Sequence, residues 1–234
     1  MTAMQSFYDQ PLFGITLTIS VFFLFLRLFR KSRTPLLNPL IFSIAAIIAF
    51  LILTGIPHSS YDKGASQLSF FMGPSIVALA VPLYRQFDKL KKNALPILLG
   101  ISMGVLASII SGVLLSLLLG LTREQLVSIA PKGATSAVSM ALSKNLGGDP
   151  AMTAIFVILA GLTGYIIGGG LLNLFKIKHP VARGISLGTG AHITGTMRAF
   201  EMGEVEGAMA SLAIGLAGVI TSVFFPLILP LFGL

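Results

Sequence analysis

APKGATSAVSMALSKNLGG (Ala130–Gly148) and GTGAHITGTMRAFEMGEVEG (Gly188–Gly207) interrupt a chain that is otherwise strongly apolar. Each puts charges and glycines where uninterrupted apolar helix is expected. Inside a bilayer, irregular backbone and ionisable side chains persist only where protein buries them or a watery cavity meets them. The two stretches are therefore expected to be breaks within the membrane and the first place to look for function.

Of the 234 residues, 55% are hydrophobic and 10% charged, against about 25% charged in a soluble domain. With roughly 20 apolar residues per crossing, the sequence predicts an all-α polytopic membrane protein of six to eight membrane elements. Two of these are the discontinuous or re-entrant polar segments. The net charge of +8 sits mainly in short connections, which points to membrane topology and the lipid bilayer rather than to nucleic acid. The absence of cysteine excludes disulfides, thiol catalysis and Cys-ligated metals. The run Leu12–Leu26 follows Asp9, lacks a basic leader and a small-residue cleavage site, and is read as a first transmembrane helix rather than a signal peptide.

Apolar runs fall at Leu12–Phe29, Leu36–Leu53, Leu68–Tyr84, Ala94–Leu119, Ala151–Phe175 and Ala208–Phe232. Three connections are basic, Arg27–Arg33, Arg85–Lys92 and Lys176–Arg183, and are expected in the cytoplasm, with the N-terminus outside. The near-neutral connections then face outward, which puts Arg123 and Asp149 on one side. The first polar segment is accordingly expected to enter and return, in preference to crossing as a broken helix.

A shift of 57 residues lays Gly133-Ala134 on Gly190-Ala191, Met140 on Met197, Ala151-Met152 on Ala208-Met209 and Leu159-Ala160-Gly161 on Leu216-Ala217-Gly218. A fainter upstream copy puts Pro74 under Pro131, Ala94 under Ala151 and Gly104 under Gly161. The expected organisation is an N-terminal helix pair (1–67) followed by a transport-type core (68–234) of segment-plus-helix units at about 73–124, 130–183 and 187–234. One net crossing per unit makes successive copies inverted repeats, an arrangement whose sites form at the repeat interface near the midplane.

In the first segment Lys132, Thr135, Ser136, Ser139 and Ser143 fall on one stripe if the stretch is a single helix. Either that lane faces a solute or it packs against a neighbouring helix. Pro131 suits a first helical turn, so a half-helix starting at Pro131–Gly133 presents free amides and a positive dipole end, a ready anion site beside Lys132. In the second segment Gly188, Gly190 and Gly195 permit a break, and Thr189, His192 and Thr196 share a face if it is helical. His192 titrates in a range suited to proton binding. Arg198 either binds an anion or neutralises Glu201, and Glu201 itself is a candidate for proton coupling or charge balance. HExxH, GxxxxGK[ST], GxSxG and paired intramembrane Asp are absent; no enzyme, metal site or cofactor is expected. Homo-oligomerisation is expected.

Pro131-Lys132 with its Ser/Thr-rich helix and Gly147-Gly148, and above all Leu187–Thr221 (LGTGAHITGTMRAFEMGEVEGAMASLAIGLAGVIT) with its lead-in KHPVARG (Lys178–Gly184), resemble the signatures of the LrgB/CidB family, from about Leu68 to the C-terminus. The chain departs from the pattern at Gly133–Ala137, where a Ser-Val-Thr-Thr-Pro-like run is usual, and at Ala191, where a Ser is usual. The resemblance implies one of two roles. One is carriage of small monocarboxylates such as glycolate, glycerate or pyruvate, as in the related plastid glycolate/glycerate translocator. The other is holin- or antiholin-like control of murein hydrolases and lysis. It also implies a bacterial cell membrane and, for many members, a small LrgA/CidA-type membrane subunit. As a carrier, the chain is expected to hold the carboxylate between Pro131–Gly133 and Lys132 or Arg198. Thr135, Ser136, Ser139, Gly188, Thr189 and Thr196 would line the site, and His192 or Glu201 would carry the proton.

Overall fold

The computed structural model describes residues 7–32, 39–71, 74, 80–85 and 87–233. Among them every regular element is a helix, and the chain divides into two compact units, Met1–Ala78 and Leu79–Leu234. Four helices are long and apolar enough to cross a membrane, at Pro11–Lys31, Ala94–Leu118, Pro150–Leu174 and Glu204–Phe232, with a shorter apolar helix at Pro39–Thr54. Much of the apolar run Leu68–Tyr84, including most of the polar start of the upstream repeat copy, lies outside the described residues.

The first unit contains α1 (Pro11–Ser32), α2 (Pro39–Thr54) and α3 (His58–Leu68), followed by a 3-10 turn at Ser69–Phe71. The connection expected around Asp62 and Lys63 is thus part of a polar helix, which follows the turn made by Gly55 at φ +67 and Pro57. Helices α1 and α3 touch backbone to backbone: a Cβ at Gly14 would strike the Tyr61 carbonyl, and one at Gly64 the Pro11 carbonyl. Thr18 and Tyr61 join their hydroxyls at 2.9 Å beside this contact.

Asp9, just before α1, accepts from the Ser60 hydroxyl at 2.6 Å and pairs with Lys63 at 3.0 Å. The Ser60 bond, then Lys63, holds its carboxyl below the ordinary carboxylate range. A carboxyl lowered in the folded state stabilises above its unfolded pKa and loses that effect as pH falls through the folded value. Asp9→Asn is therefore expected to lower the unfolding temperature slightly at neutral pH and to converge with the parent protein in acid. Thermal unfolding across pH checks both.

The second unit begins with α4 (Ala80–Arg85) and α5 (Phe87–Lys92) and continues into α6 (Ala94–Leu118). Next come α7 (Arg123–Ile129), a 3-10 turn (Ala130–Gly133) and α8 (Ser136–Leu146). Helices α9 (Pro150–Leu174), α10 (Pro180–Met202) and α11 (Glu204–Ile228) complete it. Helix α6 buries Ile97, Ile101, Val105, Ile109 and Val113, one face at a four-residue step, against a core that includes Leu126, Met209, Ala213 and Phe225. Its other face exposes Leu98, Leu99, Met103, Leu114 and Leu118. A helix in water is polar on that side; here both faces are apolar, and the outer one suits lipid. The chain is an integral membrane protein.

Local signals set the joints. Thr122 and Gln125 form a reciprocal capping box at the start of α7. Gly147, at φ +86, ends α8. Asp149 caps α9, with Pro150 at its first position.

Candidate functional site

The first polar segment doubles back. Helix α7 leads through the 3-10 turn to Ala134 and Thr135, both extended, and α8 then returns. The start of α7 meets the end of α8, where the Arg123 guanidinium donates to the Leu146 carbonyl at 3.2 Å, and just beyond α8 the Asp149 amide donates to the hydroxyl of Ser128, further along α7, at 2.7 Å. Across the bend, the buried Ser139 hydroxyl donates to the Pro131 carbonyl at 2.7 Å.

The second segment doubles back too. Helix α10 is broken at His192, whose φ of 47° and ψ of −129° are non-helical. The arms fold so tightly that a Cβ at Gly195 would strike the Leu187 carbonyl. At the mouth, Arg183 on one arm reaches Met202 Sδ on the other at 3.6 Å, and Asn173 Oδ1 at 3.3 Å.

Thr135 and His192, where the chain changes direction, stand 57 residues apart, the repeat spacing. The same shift carries the start of α6 at Ala94 to Ala151, one residue into α9, and the start of α7 at Arg123 to Pro180, where α10 begins. Arms of 10 to 12 residues reach about 15–18 Å, roughly half of a 30 Å hydrocarbon core. The tips touch. The His192 ring lies within hydrogen-bonding reach of the backbone of Lys132 and Gly133, although its buried Nε2 makes no well-formed hydrogen bond among the described residues.

Around this junction, Lys132 Nζ donates to the Ser108 carbonyl at 3.3 Å, and no carboxylate pairs with it among the described residues. Gly133 lets the tip approach α6, since a Cβ there would meet the Ser108 hydroxyl. Thr189 is buried against Gly104 of α6, and its Oγ1 has no hydrogen-bond partner among the described residues. Helix α9 closes on the second tip through small residues: added Cβ atoms would strike Thr194 from Gly161, Ala191 from Gly164 and Leu187 from Gly168.

Several expected placements differ in the structure. The half-helix does not start at Pro131. Pro131 and Lys132 lie in the 3-10 turn, and the returning helix starts at Ser136, because Thr135 takes the cap position and accepts from the Val138 amide. The break therefore removes Lys132 from the lane of Thr135, Ser136, Ser139 and Ser143. Ser139 braces the bend, and Gly188 is a packing glycine whose added Cβ would meet the Ala210 backbone. Thr196 donates to the His192 carbonyl at 3.0 Å, so it buttresses the break instead of sharing a helical face with Thr189.

Arg198 belongs to another cluster, six residues beyond the break. Its guanidinium pairs with Glu201 at 2.7 Å and lies 5.9 Å from the Tyr165 ring, while the Tyr165 hydroxyl donates to Glu201 at 2.6 Å. Of the alternatives for Arg198, neutralising Glu201 is the one the geometry displays. The pairing of Tyr165 with Glu201 is not legible in the sequence, since the two lie 36 residues apart. Glu201→Gln is expected to cost about 1–2 kcal/mol and Tyr165→Phe about 1 or less, the partial exposure of Glu201 keeping both small. Thermal unfolding of the two single variants and the double variant measures their coupling.

Residues 18–231 match the LrgB-like family. The chain is 37% identical over 224 residues to proteins named antiholin-like protein LrgB from Bacillus mycoides (strain KBAB4), Bacillus cereus (strain B4264) and Bacillus anthracis (strain CDC 684 / NRRL 3495). In each case this spans 95% of the chain and 97% of the relative. No solved structure matches. A family match across nearly the whole length, carried by relatives of the same size and including both doubled-back segments, leads to one conclusion: the chain belongs to the LrgB-like family.

Proposed function

We propose that this chain is an antiholin-like membrane protein whose molecular action is to move a small monocarboxylate across the bilayer between its two doubled-back segments. The relatives' name speaks for a role in lysis control, and we take that as the cellular role. The carrier action rests on one observation: two half-length hairpins meet tip to tip, with Lys132 lacking a carboxylate partner and the buried Thr189 Oγ1 lacking any hydrogen-bond partner among the described residues. Such groups are costly in a membrane interior unless a ligand or water meets them.

In this reading the hairpins are re-entrant, enter from opposite faces and form inverted repeats. The arm lengths, the ties between hairpin ends and the shared 57-residue spacing of the breaks support that arrangement. Lys132 holds the carboxylate, Thr189 meets a hydroxyl or keto oxygen, and His192 carries a coupling proton. Glu201, already paired with Tyr165 and Arg198, is left to hold the second hairpin. The basic connections lie in the cytoplasm.

Proteoliposomes tested with labelled glycolate, pyruvate and lactate, with and without a small LrgA/CidA-type subunit, check the carrier action. Saturable uptake is expected. Its absence under both conditions overturns the carrier action and leaves lysis control through oligomerisation. In cells, Lys132→Gln distinguishes the two: a carrier-based role loses lysis modulation together with uptake, whereas an oligomer-based role retains it.

A further inference from the structure

A groove of about 440 Å³ runs between α6 and the first arm of α10. Asn93 and His179, which precede these two helices, stand at its mouth, beside the basic connections that end at Lys92 and contain Lys178. Gly100 and Gly104 of α6 and Ser186 and Thr189 of α10 continue it inward. On α6 the steps from Asn93 to Gly100 and Gly104 are seven and four residues, and on α10 those from His179 to Ser186 and Thr189 are seven and three. Each set returns to one helical face. The two faces thus make one continuous cleft.

Eleven residues of α6 at 1.5 Å each give a depth of about 16 Å, roughly half of the 30 Å core. The inner end is consequently near the level of the tips. There Thr189, 6% exposed, lines the groove with an unpartnered Oγ1. At Gly100 and Gly190 an added Cβ meets nothing within 4 Å, so the space is open along the cleft. Large side chains at these positions would close it.

We propose that this groove is the aqueous entrance by which a small polar solute reaches the tips from the membrane face bearing the basic connections, with Ser186 and Thr189 as the hydroxyls it meets. The inference rests on the carrier reading for what travels, but not for the existence of the path. The remainder of the cleft wall is apolar, including Ile97 and Val181, so the path suits a compact solute that needs few polar contacts before the tips.

The chain has no cysteine, which permits single-cysteine labelling without background. Gly100→Cys, Ala182→Cys and Ser186→Cys, in the full-length protein in oriented membrane vesicles, would be exposed to a charged, membrane-impermeant methanethiosulfonate from either face. Lys178→Cys marks the basic face, and Leu114→Cys, on the exposed apolar side of α6, sets the lipid-facing floor. All three groove positions are expected to react from the Lys178 face at least tenfold faster than the floor. Rates less than tenfold above it, or labelling from the opposite face, overturn the entrance. Should Gly100→Cys fail to fold, Ala182→Cys and Ser186→Cys decide the result. Since the assay needs no substrate, failed carboxylate uptake with rapid labelling sinks the carrier action alone.

Discussion

Lys132→Gln is expected to lower apparent affinity for a carboxylate by roughly two to three orders of magnitude, while leaving the amount of folded protein nearly unchanged. The amide retains a donor for the Ser108 carbonyl, which the ammonium meets at 3.3 Å. Its loss is charge. Two unit charges 4 Å apart attract by about 4 kcal/mol at an effective dielectric constant of 20, and each ~1.4 kcal/mol is tenfold in affinity. No acidic group forms an ion pair with Lys132 among the described residues, so removing the charge orphans no partner inside the protein. Uptake kinetics beside size-exclusion profiles of the purified variant separate the two effects. Equal affinity in the variant would dismiss Lys132 as the anion ligand.

Gly188→Ala is expected to have the largest effect on the fold. A Cβ at Gly188 would lie at 2.7 Å from Ala210 Cα and closer still to the Ala210 carbonyl, so α10 and α11 meet there through backbone that cannot rotate aside. Ordinary overpacking costs about 1–3 kcal/mol, and this contact should reach or exceed the upper end. Gly184, one turn earlier, meets the Glu206 carbonyl in the same way. The comparison is Gly190→Ala. Its Cβ meets nothing within 4 Å, and helix propensity favours alanine by up to about 1 kcal/mol. Unfolding temperatures should separate the two variants clearly, although both replace a glycine of the same arm. Equal behaviour would show that α11 is not seated where the structure places it.

The long helices and the two breaks were legible because hydropathy and glycine spacing are local properties. The repeat also located the breaks in register, since Thr135 and His192 directly follow the matched Gly133-Ala134 and Gly190-Ala191 at the same 57-residue shift. What the sequence concealed was which polar groups face which. Pro131 looked like a helix start because proline fits a first turn, but the extended Thr135 offers a side-chain cap that Ala130 lacks. Glu201 was visible as one possible partner of Arg198, but the third member of the cluster, Tyr165, is distant in sequence. Thr189 and Thr196 seemed equivalent at helical spacing, yet the positive φ of His192 places one in the groove and turns the other's hydroxyl to a carbonyl.

The half-length arms have an electrical consequence. On the proposed reading, aqueous clefts would bring solution close to the tips, so the membrane voltage would fall mainly across the thin junction of Lys132, Gly133 and His192 instead of the full bilayer. A monovalent anion crossing that junction would traverse nearly the whole potential, about 2.3 kcal/mol per 100 mV. Small local movements of the tips could then transfer a charge through a large voltage difference without any helix having to travel the thickness of the membrane.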